Sequence, residues 1–158
     1  MQIRGSHVID APADVVFGAI SDPATLMAVI PGCLGIEQVG DAYRGEIALR
    51  LPGFSGTYRT IARLTEAVRP SHGLITGEAT GAFGAIGGAV MFELAESAGR
   101  TTVRYEGQLT ISGPLARLDS RFAEGFAGSL IGQGLRALGT RLRGQLRDQA
   151  SAPQETRV

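Results

Sequence analysis

The sequence predicts an α+β domain: a curled antiparallel sheet of about six to seven strands wrapped around one long C-terminal helix, with two short helices after the first strand. Three observations carry this. Period-two alternation of apolar and polar residues recurs in short segments up to Ile111. Asp10-Ala11-Pro12 and Asp22-Pro23 punctuate two short helical segments. A proline-free run from Leu115 to Gln149 has helical spacing, and no other segment is large enough to cover the apolar face of a sheet.

Gln2 to Ile9 reads as the first strand. Pro12 suits the first turn of a helix, and Asp14 favours its N-terminal dipole, while Val15, Val16, Ala19 and Ile20 supply a buried face. Asp22 then caps a helix with Pro23 at its first position, and this helix stops before Pro31-Gly32. Strands follow over Gly35–Val39, Ala42–Leu51, Phe54–Glu66, Gly73–Thr80, Ala85–Ala95 and Thr101–Ile111. Apart from Gly73–Thr80, which alternates poorly, the longer ones have one apolar and one wet face, as in an antiparallel sheet covered on one side. Residues 1–149 form a single domain, and 150–158 a polar tail expected to be disordered.

The long helix carries two apolar series. Leu115, Leu118, Phe122, Phe126 and Leu130 form one, and Ile131, Leu135, Leu138, Leu142 and Leu146 the other. At roughly 100° per residue they lie on different faces. Gly125, Gly128, Gly132 and Gly134 fall between them and weaken the helix. A kink there would turn both series to one core. A straight helix would leave Leu135, Leu138 and Leu142, with Arg136, Arg143 and Arg147 beside them, for a partner protein, a second copy or an anionic membrane surface.

Composition narrows the function. Fifteen basic residues balance fifteen acidic ones, which gives no global case for nucleic acid. No apolar run approaches membrane-spanning length, and the N-terminus lacks a secretion signal. One cysteine, Cys33, excludes an internal disulfide and suits a cytoplasmic protein. It reads as a small packing group rather than a reactive thiol. His7 and His72 have no second ligand at metal spacing, so neither a metal nor a cofactor is expected. The glycines from Gly81 to Gly88 sit in a hairpin rather than between a strand and a helix, which argues against a phosphate loop. Glu78 and Glu93 are the acids in apolar strand surroundings that could act as a general base, and surface placement is expected for both.

The inward face suggests a site. Tyr43, Tyr58 and Tyr105 all have inward parity, and four strands each carry an inward glycine: Gly45, Gly56, Gly88 and Gly107. Inward glycines let a sheet coil, and they also leave volume. The expected site is an apolar cavity walled by Tyr43, Tyr58, Tyr105, Gly107, Phe122 and Phe126, with Phe17 and Ile30 from the short helices.

A resemblance adds to this. Ala11-Pro12 with Val16-Phe17, Asp22-Pro23 leading to Ile30-Pro31-Gly32-Cys33, Gly77 with Gly81, Gly84 and Gly87-Gly88, and Gly113-Pro114-Leu115-Ala116-Arg117-Leu118 with Arg121 all point one way. Over residues 1–148 the chain resembles the carbon monoxide dehydrogenase G-subunit family, within the START-like (SRPBCC), helix-grip superfamily. The resemblance implies a non-catalytic accessory protein that binds a quinone- or lipid-like molecule and serves a molybdenum-containing dehydrogenase, by recruitment or electron-acceptor handling. Some members carry a hydrophobic C-terminal anchor. This chain ends without one, so self-sufficient anchoring is not expected, while peripheral contact at the inner face of the membrane and a homodimer stay open. The alternative is a polyketide cyclase or aromatase-like enzyme using the same cavity.

Overall fold

The computed structural model describes residues 1–151 of the chain, with side chains described through Gln149. Of the tail expected over 150–158, residues 152–158 lie outside the described residues. The element order is β1 (Gln2–Ile9), α1 (Ala13–Ile20), α2 (Pro23–Val29), β2 (Cys33–Val39), β3 (Ala42–Leu49), β4 (Gly56–Val68), β5 (His72–Gly81), β6 (Gly84–Ser97), β7 (Arg100–Ser112), a 3-10 turn (Gly113–Arg117) and α3 (Ser120–Ser151).

The strands form one seven-stranded antiparallel sheet in the order β1-β7-β6-β5-β4-β3-β2. From β2 to β7 the chain is a run of hairpins. Helices α1 and α2 carry it from the β1 edge to the β2 edge, and β7 returns to pair with β1. The sheet is therefore open between β1 and β2, and its concave side is covered by the helices.

Local chemistry sets the helix ends. Asp22 accepts from the Thr25 amide at 3.1 Å and from the Thr25 hydroxyl at 2.7 Å, which starts α2. Pro12, at the N-cap of α1, has no side-chain acceptor. The Glu96 carboxylate of β6 accepts from the Ala13 amide at 2.8 Å instead. Buried Thr101 donates to the Ala11 carbonyl at 2.7 Å, fixing the same corner. Gly32 takes the left-handed φ of 78° in the turn after α2, and its carbonyl accepts from the Ala48 amide at 2.8 Å.

The long helix corrects two expectations. It begins at Ser120, not Leu115: Asp119 accepts from the Arg121 amide at 2.9 Å, and Leu115 and Leu118 belong to the preceding 3-10 turn and its exit. Spacing of three residues suits a 3-10 turn as well as an α-helix, so the apolar series runs across the boundary. The helix is also continuous through Gly125–Gly134. Its two apolar series meet two core clusters of the same domain. Phe126 and Leu130 pack on Leu49, Leu51, Tyr58 and Leu115. Leu138 and Leu142, each 3 % exposed, are buried among Ile9, Val16, Phe17, Val29, Phe92 and Leu94, with Leu135 packed alongside. The series that a straight helix would offer to an outside partner is thus covered by β1, α1, α2 and β6. Arg136, Arg143 and Arg147 remain exposed.

Candidate functional site

Two apolar cavities lie on the inner side of the sheet. The first, about 210 Å³, is roofed by Leu26 and Ile30 of the α2 segment and closed at one end by Ile20 and Ser21. Its floor is sheet. Tyr43 and Ile47 come from β3, Thr60, Ala62 and Leu64 from β4, and Ile75 from β5. The register places Tyr43 opposite Ala62 and Leu64 opposite Ile75, so alternate residues of neighbouring strands face the same space. Cys33 and Ile36 of β2 complete the wall, and the rim reaches the exposed Glu46 and Arg63. The second cavity, about 230 Å³, lies under the first half of α3, between Phe126 and Leu130 and the strand residues Ile3, Leu49, Ile86, Val90, Leu109 and Ile111. Successive inward residues of β3, Ile47 and Leu49, line the first and the second respectively.

The polar atoms of the first cavity are few. The Tyr43 hydroxyl donates to the Ser21 carbonyl at 2.6 Å and is committed there. Burial, and then the nearby Asp22 charge, push its pKa above the ordinary phenol value. The hydrogen bond from the Thr25 hydroxyl holds the Asp22 carboxyl below its usual value, against a smaller opposing effect of burial. Cys33 Sγ approaches the Gly35 carbonyl at 3.7 Å, a weak contact. The Thr60 hydroxyl is buried and has no hydrogen-bond partner.

The expected site residues separate. Tyr43 and Ile30 line the first cavity, and Phe126 lines the second. Tyr58 is 1 % exposed, donates to the Phe54 carbonyl at 2.7 Å and fills a core cluster instead of a cavity wall. Tyr105 lies across Gly5, its partner in the register, so the missing side chain of one strand seats the ring of the next. Phe17 packs on Phe92 with ring centroids 6.0 Å apart and under the Arg69 guanidinium, which is 5.6 Å from its ring centroid. Phe122 is 41 % exposed and stacks on Phe126 at 6.2 Å, on the solvent side of α3.

Among the inward glycines, Gly107 and Gly45 make close backbone approaches, whereas Gly56 has nothing within 4 Å of a built Cβ. A Cβ at Gly107 would overlap the Ala89 carbonyl and come within 2.8 Å of Val90 Cα. At Gly45 it would overlap the Gly35 carbonyl, where the β2–β3 register shifts. These two glycines admit the neighbouring backbone of a sharply coiled sheet, and Gly45 also lines the first cavity. Glu78 and Glu93 are exposed on the other side of the sheet. There, a wider depression of about 870 Å³ is lined by Arg44, Glu46, Arg59 and Glu78. Its charged, solvent-open walls do not suit an apolar ligand. Among the described residues, no group of three or more His, Cys, Asp or Glu side chains could hold a metal ion. No helix among them is long and apolar enough to cross a membrane.

Sequence reasoning passed over Thr60, Leu26, Ile36 and Cys33 as cavity residues. Thr60 shares the inward parity of Tyr58 and Ala62, which is the signal that could have found it.

The comparisons with known proteins agree with this architecture. A conserved protein from Geobacillus kaustophilus superposes with a TM-score of 0.86 at 21 % identity, covering 91 % of this chain and 96 % of that one. A START superfamily protein from Mycobacterium smegmatis gives 0.68 at 14 %, with 91 % and 98 % covered. The Zhui aromatase/cyclase from Streptomyces sp. R1128 gives 0.60 at 14 %, with 99 % of each chain covered. At these identities the likeness shows a shared START-like fold. No curated protein matches the chain. The family model of CoxG, the carbon monoxide dehydrogenase G-subunit, matches residues 5–143, most of the domain, and the chain belongs to that family.

Proposed function

We propose that the chain binds an apolar, ring-sized molecule in the cavity beneath α2 and serves a carbon monoxide dehydrogenase-like molybdenum enzyme as a non-catalytic accessory. The observation that carries the binding reading is the cavity of about 210 Å³ walled by Leu26, Ile30, Ile36, Ile47, Leu64 and Ile75. Cavities of roughly 150 Å³ lined by aliphatic side chains stay dry and take up benzene. This one therefore suits a single substituted ring, such as the head of a quinone-like molecule, or a short length of lipid chain, but not a whole phospholipid. Family membership supports the dehydrogenase as partner. The exposed Arg136, Arg143 and Arg147 on α3 offer it, or an anionic membrane surface, a basic face. A cyclase-type reaction in the same cavity has less support, because Glu78 and Glu93, its candidate bases, lie exposed across the sheet.

Cys33 tests the binding, since its thiol shares the cavity wall. Alkylation by N-ethylmaleimide should slow severalfold in the presence of saturating 1-indanone, a small unreactive ring. An unchanged rate would count against occupancy of this cavity.

A further inference from the structure

We propose that Thr60 selects, among apolar ligands of the first cavity, those carrying a hydrogen-bond acceptor, with ring ketones the simplest class. This rests on the cavity reading above and goes beyond it, from a shape to a chemistry.

Three other inward hydroxyls are satisfied by the protein's own backbone. Tyr43 donates to Ser21, Tyr58 to Phe54 and Thr101 to Ala11, at 2.6, 2.7 and 2.7 Å. Thr60 is the exception. Its hydroxyl is buried without a partner, on a residue that lines the first cavity beside Ile47, Ala62, Leu64 and Ile75. The register puts Gly45 opposite Thr60, so the β3 residue that faces it brings no side chain. An orphaned buried donor is rare and costs free energy, whereas an under-used acceptor is common. The complement of a threonine O–H with no acceptor is an acceptor. A hydrocarbon ligand would leave the O–H unpaired and dry, while a carbonyl on the ring would satisfy it. Tyr43 cannot do this without giving up Ser21.

Indane and 1-indanone have the same fused-ring skeleton and differ by one methylene replaced with a carbonyl. Their affinities are to be measured by calorimetry on the wild type, on Thr60→Val, which keeps the shape, and on Thr60→Ser, which keeps the hydroxyl. Thr60→Val should lower the preference for the ketone by about fivefold to tenfold, the worth of one hydrogen bond. Indane should bind it at least as well as the wild type, and the unliganded variant should melt no lower. Thr60→Ser should keep the preference. An equal preference in wild type and Thr60→Val overturns the role of Thr60 and leaves the cavity reading standing. If neither ring binds the wild type, the cavity reading fails and this inference falls with it.

Discussion

The hydroxyl of Tyr43 donates to the main-chain carbonyl of Ser21 at 2.6 Å and ties β3 to the junction between α1 and α2. One strand residue thereby holds the helical roof over the cavity it lines. The bond is a structural one, made before any ligand arrives.

Tyr43→Phe should therefore lower stability by about 0.5–1.5 kcal/mol in urea titrations. Its affinity for 1-indanone should stay within about twofold of wild type, because the lost hydroxyl does not meet the ligand. A large loss of affinity at unchanged stability would assign the hydroxyl to the ligand instead.

The burial of this hydroxyl and of the Tyr58 hydroxyl bears on alkaline stability. Burial raises the folded-state pKa of both Tyr43 and Tyr58 above 10.0. A raised phenol pKa means that stability is fully present below the unfolded value near 10 and is lost as pH rises through the folded one. The chain contains no lysine, so few other groups titrate in that window. Stability should fall above about pH 10, and phenolate absorbance should show two tyrosines ionising late. Ionisation of Tyr43 and Tyr58 at the ordinary value would contradict their burial.

Leu138 and Leu142, at 3 % exposure each, belong to the domain's own core. Leu142→Ala should cost about 2–5 kcal/mol. Leu138→Glu with Leu142→Glu should unfold the chain, since both carboxylates would be buried unpaired. A folded double variant with altered association would return these leucines to an interface.

The glycines divide by what surrounds them. Gly107→Ala would drive a Cβ into the Ala89 carbonyl and should destabilise by about 1–3 kcal/mol. Gly125 in α3 has nothing within 4 Å of a built Cβ. Gly125→Ala should stabilise by about 1 kcal/mol through helix propensity alone. Thermal unfolding of the two variants should move in opposite directions.

Much of the fold was legible because its signals are local. Asp22 and Pro23 announce α2, and the alternation around Tyr43, Ile47 and Leu49 assigns the inward face of β3. The Gly81–Gly84 pairing bears out the hairpin reading of the glycine-rich segment. What was hidden depends on distant partners. The acceptor for the Ala13 amide is Glu96, 83 residues away. Two apolar series on one continuous helix could not reveal that the sheet meets one and that β1, α1 and α2 help bury the other. The site was half legible for the same reason. Parity placed all three tyrosines inward, but parity does not say which ring fills the core. Tyr58 and Tyr105 are packed, and only Tyr43 borders the cavity.

Isoleucine methyls give the most direct measurement of ligand binding in the first cavity, because they fall into separate groups. Ile20, Ile30, Ile47 and Ile75 line that cavity and neither of the other two spaces, and Ile3, Ile86, Ile111 and Ile131 line the second. Ile61 borders the charged depression on the far side of the sheet. Titration of 1-indanone into isoleucine-methyl-labelled protein should shift the first group saturably and leave Ile61 in place. Absence of saturable shifts, or shifts centred on Ile61, would contradict binding beneath α2.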